Sequence, residues 1–133
     1  MAFVADNSVI VGWFIPSQAS ELTRKALRLS RRERVHVPAL WQSEFANVLV
    51  GLERRGLITG HQVDAIVAKA ERFGLEIHDA FPSISPLIGL MRARGIKAYD
   101  ASYLHLAASL NVPLYTRDGS LRAAARSAGL TAP

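Results

Sequence analysis

Four short apolar stretches, FVAD at residues 3–6, VHV at 35–37, LEIHD at 75–79 and VPLYT at 112–116, alternate along the chain with segments that carry helical spacing. FVA and VPLY lack the apolar–polar alternation of a half-exposed strand, and all four stretches read as short buried strands. Short strands of that kind are buried on both faces, and their alternation with helices implies a mostly parallel sheet sandwiched between helices. The expected architecture is therefore α/β, a three-layer α/β/α domain with four to five short strands. In such sheets, binding and catalytic sites lie beyond the carboxyl ends of the strands.

The helical segments have recognisable ends. NSVIVGWF leads to Pro16, which halts any helix there, and residues 18–32 carry helical spacing. ALWQSEFANVLVGLERRG forms a long helix closed by Gly56, and Thr59 with Gln62 makes a capping box for a helix running to about Gly74. SPLIGLMRARG ends at Gly95, KAYDASYLHLAASL follows it, and SLRAAARSAG comes after the fourth strand. The 133 residues, half of them apolar and free of repeats or low-complexity linkers, suit one domain over 1–133 with one core.

No apolar run approaches the roughly 18 residues of a membrane helix, and MAFVADNSVIVGWF lacks a basic leader or a small-residue cleavage site. A soluble, unexported, cytoplasmic protein without membrane association is the expectation. The absence of cysteine excludes disulfides, thiolate metal sites and cysteine nucleophiles. A formal charge of +5 favours a polyanionic partner. The densest basic segment, TRKALRLSRRER, sets Arg24, Arg28, Arg31 and Arg32 on one helical stripe. Arg28, Arg31 and Arg32 are candidate RNA contacts because guanidinium groups bind phosphates bidentately, and a plain solvated face is the competing reading.

The acids carry the chemistry. Wound at about 100° per residue, KAYDASYLHLAASL places Ser102, His105 and Ser109 on one side, the natural solvent face, and Asp100 on the other, among apolar neighbours. Asp6 and Asp118 end predicted strands, so both reach the carboxyl edge of the sheet. A helix that follows a strand begins near that edge, which brings Asp100 there, and Glu44 sits one turn into its helix beside the Trp41, Phe45, Val48 and Leu52 arc. Singly, each acid reads equally as a helix cap or a partner for a core arginine. Together they are costly. Two carboxylates about 5 Å apart at an effective dielectric near 20 repel by roughly 3 kcal/mol, so such a set takes up protons or a cation. With oxygen ligands alone, Mg²⁺ or Mn²⁺ is the expected ion, and its chemistry is that of metal nucleases.

Four blocks, VADNSV, PALWQSEFANVL, YDASYLHLA and LYTRDGSLRAAA, give the sequence a resemblance over its full length to the PIN-domain ribonucleases, in particular the VapC toxins of bacterial toxin–antitoxin pairs. The resemblance implies that Asp6, Glu44, Asp100 and Asp118 hold Mg²⁺ or Mn²⁺ and position the attacking water. It places Ser8, Asn47 and Thr116 at positions that support the cluster; Ser8 and Thr116 also read as turn caps, and Asn47 as an exposed residue. It further implies endonucleolytic cleavage of structured RNA such as tRNA or rRNA, a VapB-like antitoxin that occludes the site, and a homodimer. The family usually finishes with a strand after the AGL turn, whereas this chain reads TAP there, so that strand is short or absent.

Other chemistries fit less well. A phosphotransfer receiver needs paired acids after the first strand, and a haloacid-dehalogenase-like phosphatase wants Asp where this chain has Ser8. No G-x-S-x-G elbow, P-loop, G-x-G-x-x-G or H-E-x-x-H occurs. His36, His61, His78 and His105 read as scattered, and Trp13 and Trp41 as core. The alternative from another class is a non-catalytic RNA-binding or antitoxin-sequestering module, which has no need of four mutually repelling carboxylates.

Overall fold

A computed structural model describes residues 1–80 and 82–131. β1 (Ala2–Ala5) is followed by α1 (Asn7–Phe14), a 3-10 turn (Pro16–Gln18) and α2 (Glu21–Leu29). β2 (Arg34–Pro38), α3 (Leu40–Arg54), α4 (Gly60–Phe73) and β3 (Glu76–His78) come next. α5 (Ile84–Arg94), α6 (Ala98–Leu110), β4 (Leu114–Tyr115) and α7 (Gly119–Ser127) complete the order. The strands form one parallel sheet, β3-β2-β1-β4, with Phe3 opposite Val35, Val4 opposite both His36 and Leu114, and Val37 opposite Ile77. This is the layered α/β arrangement that the alternation implies.

β1 is an inner strand, and Phe3, Val4 and Ala5 are completely buried because helices cover both faces. Tyr103, Leu104 and Ala107 of α6 pack across β1, β2 and β4, with α5 and α7 alongside; α1 packs against α2, α3 and α4 in a second group. Trp13 donates its indole N–H to the Thr23 carbonyl (2.8 Å), and Trp41 is buried against Phe45, so both tryptophans belong to the core. α1 and α2 touch closely at Gly12, where a Cβ would lie 2.5 Å from Thr23 Cγ2.

The helix ends follow their sequence signals. The Thr59 hydroxyl accepts from Gln62 N (3.1 Å) while Gln62 returns its side-chain oxygen to Thr59 N (2.8 Å). Gly56, after α3, adopts a left-handed φ of 71° that favours glycine.

Three expectations need correction. Ser102 is buried and donates to the Ala98 carbonyl (3.0 Å), although His105 and Ser109 of its stripe are exposed. The cause is that α6 is flanked by α5 and α7 as well as the sheet. The basic stripe ends early: α2 stops at Leu29, Ser30 caps it, and Arg31 and Arg32 lie in the following turn. His36 and His78 are not scattered, because parallel pairing of β2 with β3 brings His36 Nδ1 to 2.8 Å from His78 Nε2. After α7, the Leu130 carbonyl accepts from Leu114 N (2.8 Å), the one backbone bond that continues the sheet edge among the described residues; Ala132 and Pro133 of the TAP segment lie outside them.

Candidate active site

Asp6 leaves the end of β1 as the N-cap of α1, which fixes its direction. It is 5% exposed, and both its oxygens are occupied. Oδ1 accepts from the Ser8 hydroxyl (2.5 Å) and Val9 N (3.3 Å); Oδ2 accepts from the Thr116 hydroxyl (2.6 Å). Each hydroxyl is itself set by a backbone amide: Arg117 N donates to Ser8 Oγ (2.9 Å) and Asp118 N to Thr116 Oγ1 (3.0 Å). The β4–α7 turn therefore reaches across to fix a carboxylate at the end of the neighbouring strand. Burial pushes the Asp6 carboxyl up to about 6 despite three hydrogen bonds that favour its charge, and Asp100 adds to the rise.

Glu44 projects from α3 and accepts from the Tyr103 hydroxyl (2.6 Å). Burial, then the charges of Asp6 and Asp100, hold its carboxyl above the usual range against that hydrogen bond. Asp100, in the first turn of α6, is raised by burial and by Asp118, with Lys97 opposing. Asp118 is exposed and caps α7 through Oδ2, which accepts from Leu121 N (2.8 Å). The capping reading of Asp6 and Asp118 is thus correct and does not exclude a second task.

All four acids line a single cleft of about 510 Å³, shared with Asn7, Ser8, Gln18 and Tyr103 among others. Among the described residues, no three His, Asp or Glu side chains stand close enough to hold one ion as placed. The donor chemistry nonetheless suits a hard divalent cation. The ligand atoms on offer are oxygens, three of the four carboxyls rise partly through one another's charge, and the cleft-lining Asn7 carries a buried Oδ1 without a hydrogen-bond partner.

Thr116 and Ser8 contact Asp6 directly. Asn47 is exposed and is not among the cleft-lining residues. Arg28, Arg31 and Arg32 do not line the cleft either. α2 descends from beside Gln18 toward the start of β2, where Arg34 N bonds the Met1 carbonyl (3.2 Å), so its basic end lies at the sheet edge opposite Asp6. The cations that do line the cleft are Arg55 and Lys97.

Sequence reasoning missed Tyr103, Arg55, Lys97 and Arg117. Tyr103 was within reach, since it lies three residues after Asp100 and shares its helix face. It is 1% exposed, accepts a backbone hydrogen bond from Asn7 and donates to Glu44, tying α6 to α1 and α3. Burial and the Glu44 charge raise its hydroxyl far above the ordinary phenol range, which keeps it a donor. Arg117 donates from Nη1 to the Gln18 carbonyl (2.7 Å), bracing the turn after α1 against the β4–α7 turn.

The four acids thus gather at one cleft of a parallel sheet. Residues 3–127 match the PIN domain family, and the chain belongs to that family. It is 28% identical over 123 residues to Ribonuclease VapC3 of Pyrobaculum aerophilum, spanning 91% of this chain and 92% of that relative. The crystal structure of PAE2754 from Pyrobaculum aerophilum has a TM-score of 0.65 to this fold, covering 93% of this chain and 86% of that one at 19% identity.

Proposed function

We propose that this protein is a VapC-type toxin, a Mg²⁺- or Mn²⁺-dependent endoribonuclease built on a single PIN domain. The observation that carries the reading is the convergence of Asp6, Glu44, Asp100 and Asp118, from four distant segments, on one cleft. The similarity to a protein named ribonuclease VapC3 gives RNA as the substrate class.

The chain's own residues divide the work. Asp6, immobilised through both oxygens by Ser8 and Thr116, is the fixed point of the site. Tyr103 orients Glu44. Asp100 and Asp118 complete the set of residues that would hold a divalent cation, which supplies Lewis acidity, a more acidic bound water and neutralisation of phosphoryl charge. Arg55 and Lys97 attract the RNA backbone to the cleft, and Tyr99, 64% exposed on its wall, offers a ring on which an unpaired base stacks. Structured RNA such as tRNA or rRNA, a VapB-like antitoxin that covers the cleft, a homodimer and a cytoplasmic location belong to the same reading.

The test is cleavage of structured RNAs by purified protein with mapping of new 5′ ends. The expected result is a discrete cut that requires Mg²⁺ or Mn²⁺, stops with EDTA, and is lost in folded Asp6→Asn and Asp100→Asn variants. Undiminished cleavage by those variants overturns the reading; RNA binding without any cut returns the protein to the non-catalytic alternative.

A further inference from the structure

Beside the catalytic cleft lies a second groove, of about 550 Å³, between α2 and α7 and alongside the edge strand β4. Its charged lining is Lys25, Arg122 and Arg126 against the single acid Glu21. Arg122 and Arg126 stand one helical turn apart on α7 and share a face. Arg122 Nη2 donates to the Thr116 carbonyl (3.0 Å), which fixes the guanidinium at the groove wall and leaves its other N–H groups to recognise an anion.

Thr116 joins the two sites. Its hydroxyl donates to Asp6 on the cleft side, and its carbonyl receives Arg122 on the groove side. The groove therefore borders the backbone of the residue whose side chain holds Asp6, across the β4–α7 turn from the cleft. Guanidinium pairs on a helix face match phosphate oxygens in charge and in bidentate geometry.

We propose that the α2–α7 groove is a phosphate-binding subsite, in which Arg122 and Arg126 hold the RNA strand that flanks the scissile bond. The inference rests on the ribonuclease reading and extends it by giving the substrate a direction across the surface. It also moves the basic contact from the far end of α2 to α7, which starts at the catalytic edge of the sheet and carries Arg126 in its last turn, toward the start of β4.

The experiment measures binding of a fluorescent single-stranded RNA of about 12 nucleotides, within the usual span of single-strand sites, in EDTA across a range of KCl. Wild type is compared with Arg126→Gln and with Arg122→Gln/Arg126→Gln, and cleavage in Mn²⁺ is followed in parallel. Each lost phosphate contact should flatten the plot of log affinity against log salt by about 0.7, so the double variant loses about 1.4. KM for the same RNA should rise more than kcat falls. Arg126→Gln alone leaves the Arg122–Thr116 bond in place and keeps the test valid if the double variant fails to fold. Unchanged slopes in variants of a wild type that cuts RNA overturn the groove and leave the ribonuclease reading standing. A wild type that never cuts sinks the ribonuclease reading, while its EDTA binding slopes still decide whether the groove takes RNA. Tighter binding of a poly-glutamate peptide than of RNA, lost in the same variants, assigns the groove to an acidic polypeptide and overturns the proposal.

Discussion

Replacing Asp6 by Asn should make the metal-free protein more stable at neutral pH while destroying its activity. The unfolded carboxyl titrates near 3.8 and the folded one near 6, because burial outweighs the Ser8, Thr116 and Val9 hydrogen bonds. Between those values the folded state keeps a proton that the unfolded state has released, so stability falls as pH rises through the window. At about 1.4 kcal/mol per pH unit, the separation costs about 3 kcal/mol by pH 7. Asn carries no charge and escapes that cost. Its single amide oxygen still serves Ser8 and Val9, but its NH₂ meets the Thr116 hydroxyl that formerly donated to Oδ2, and one lost hydrogen bond costs about 1 kcal/mol. The net gain is about 2 kcal/mol at pH 7, or about 6 °C in melting midpoint for a chain of this size. It should shrink steadily on acidification and vanish by about pH 4, where the wild-type carboxyl is protonated when folded. Thermal melts followed by circular dichroism in EDTA at several pH values measure the difference. A variant no more stable than wild type at pH 7, or a difference that ignores pH, refutes the claim that Asp6 is buried at an electrostatic cost.

Tyr103→Phe keeps the ring in the core and removes only the hydroxyl that holds Glu44. A hydrogen bond to a charged group contributes about 1.5–3 kcal/mol, so kcat should fall by about tenfold or more and calorimetric Mn²⁺ affinity should weaken; unchanged values for both would remove Tyr103 from the site. Gly12→Ala would bring a Cβ to 2.5 Å from Thr23 Cγ2, and Thr23 is fully buried and locked in a reciprocal cap with Ser20. Overpacking of this kind costs about 1–3 kcal/mol, offset by up to about 1 kcal/mol of helix propensity; a urea midpoint at or above wild type would show that α1 and α2 separate freely.

Alternation of short apolar strands with helices was enough to give a parallel sheet, but burial on both faces holds for the inner strand β1 and fails at the edge strand β3, where Glu76 and Ile77 are exposed. Strand ends and helix starts then sent Asp6, Asp100 and Asp118 to one edge without any knowledge of strand order. What remained illegible depends on neighbours. Periodicity marks a face of α6 but not what covers it, so Ser102 was assigned to solvent although α6 is flanked by α5 and α7. The Tyr103–Glu44 bond joins side chains 59 residues apart, and the His36–His78 contact needs the β2–β3 register. Arg31 and Arg32 kept a helical period across a turn, since arginine favours neither state strongly enough to mark the helix end at Leu29.

The four acids differ in how firmly they are held, and that difference has a physical consequence. Asp6 sits at the end of an inner strand, nearly inaccessible and gripped at both oxygens, whereas Asp118 is exposed and Asp100 and Glu44 are intermediate. Four carboxylates in contact would carry their whole repulsion in the folded state; here each is held by its own hydrogen bonds or helix, and among the described residues no three stand close enough to hold one ion. An RNA phosphate faces the same negative field at the cleft, while Arg55, Lys97 and the α7 arginines attract the strand on either side. Under the proposed function, substrate charge at the reacting position is tolerated only once the carboxylates are neutralised. Under the proposed function, metal and RNA strengthen each other's binding, and by linkage each does so by the same factor.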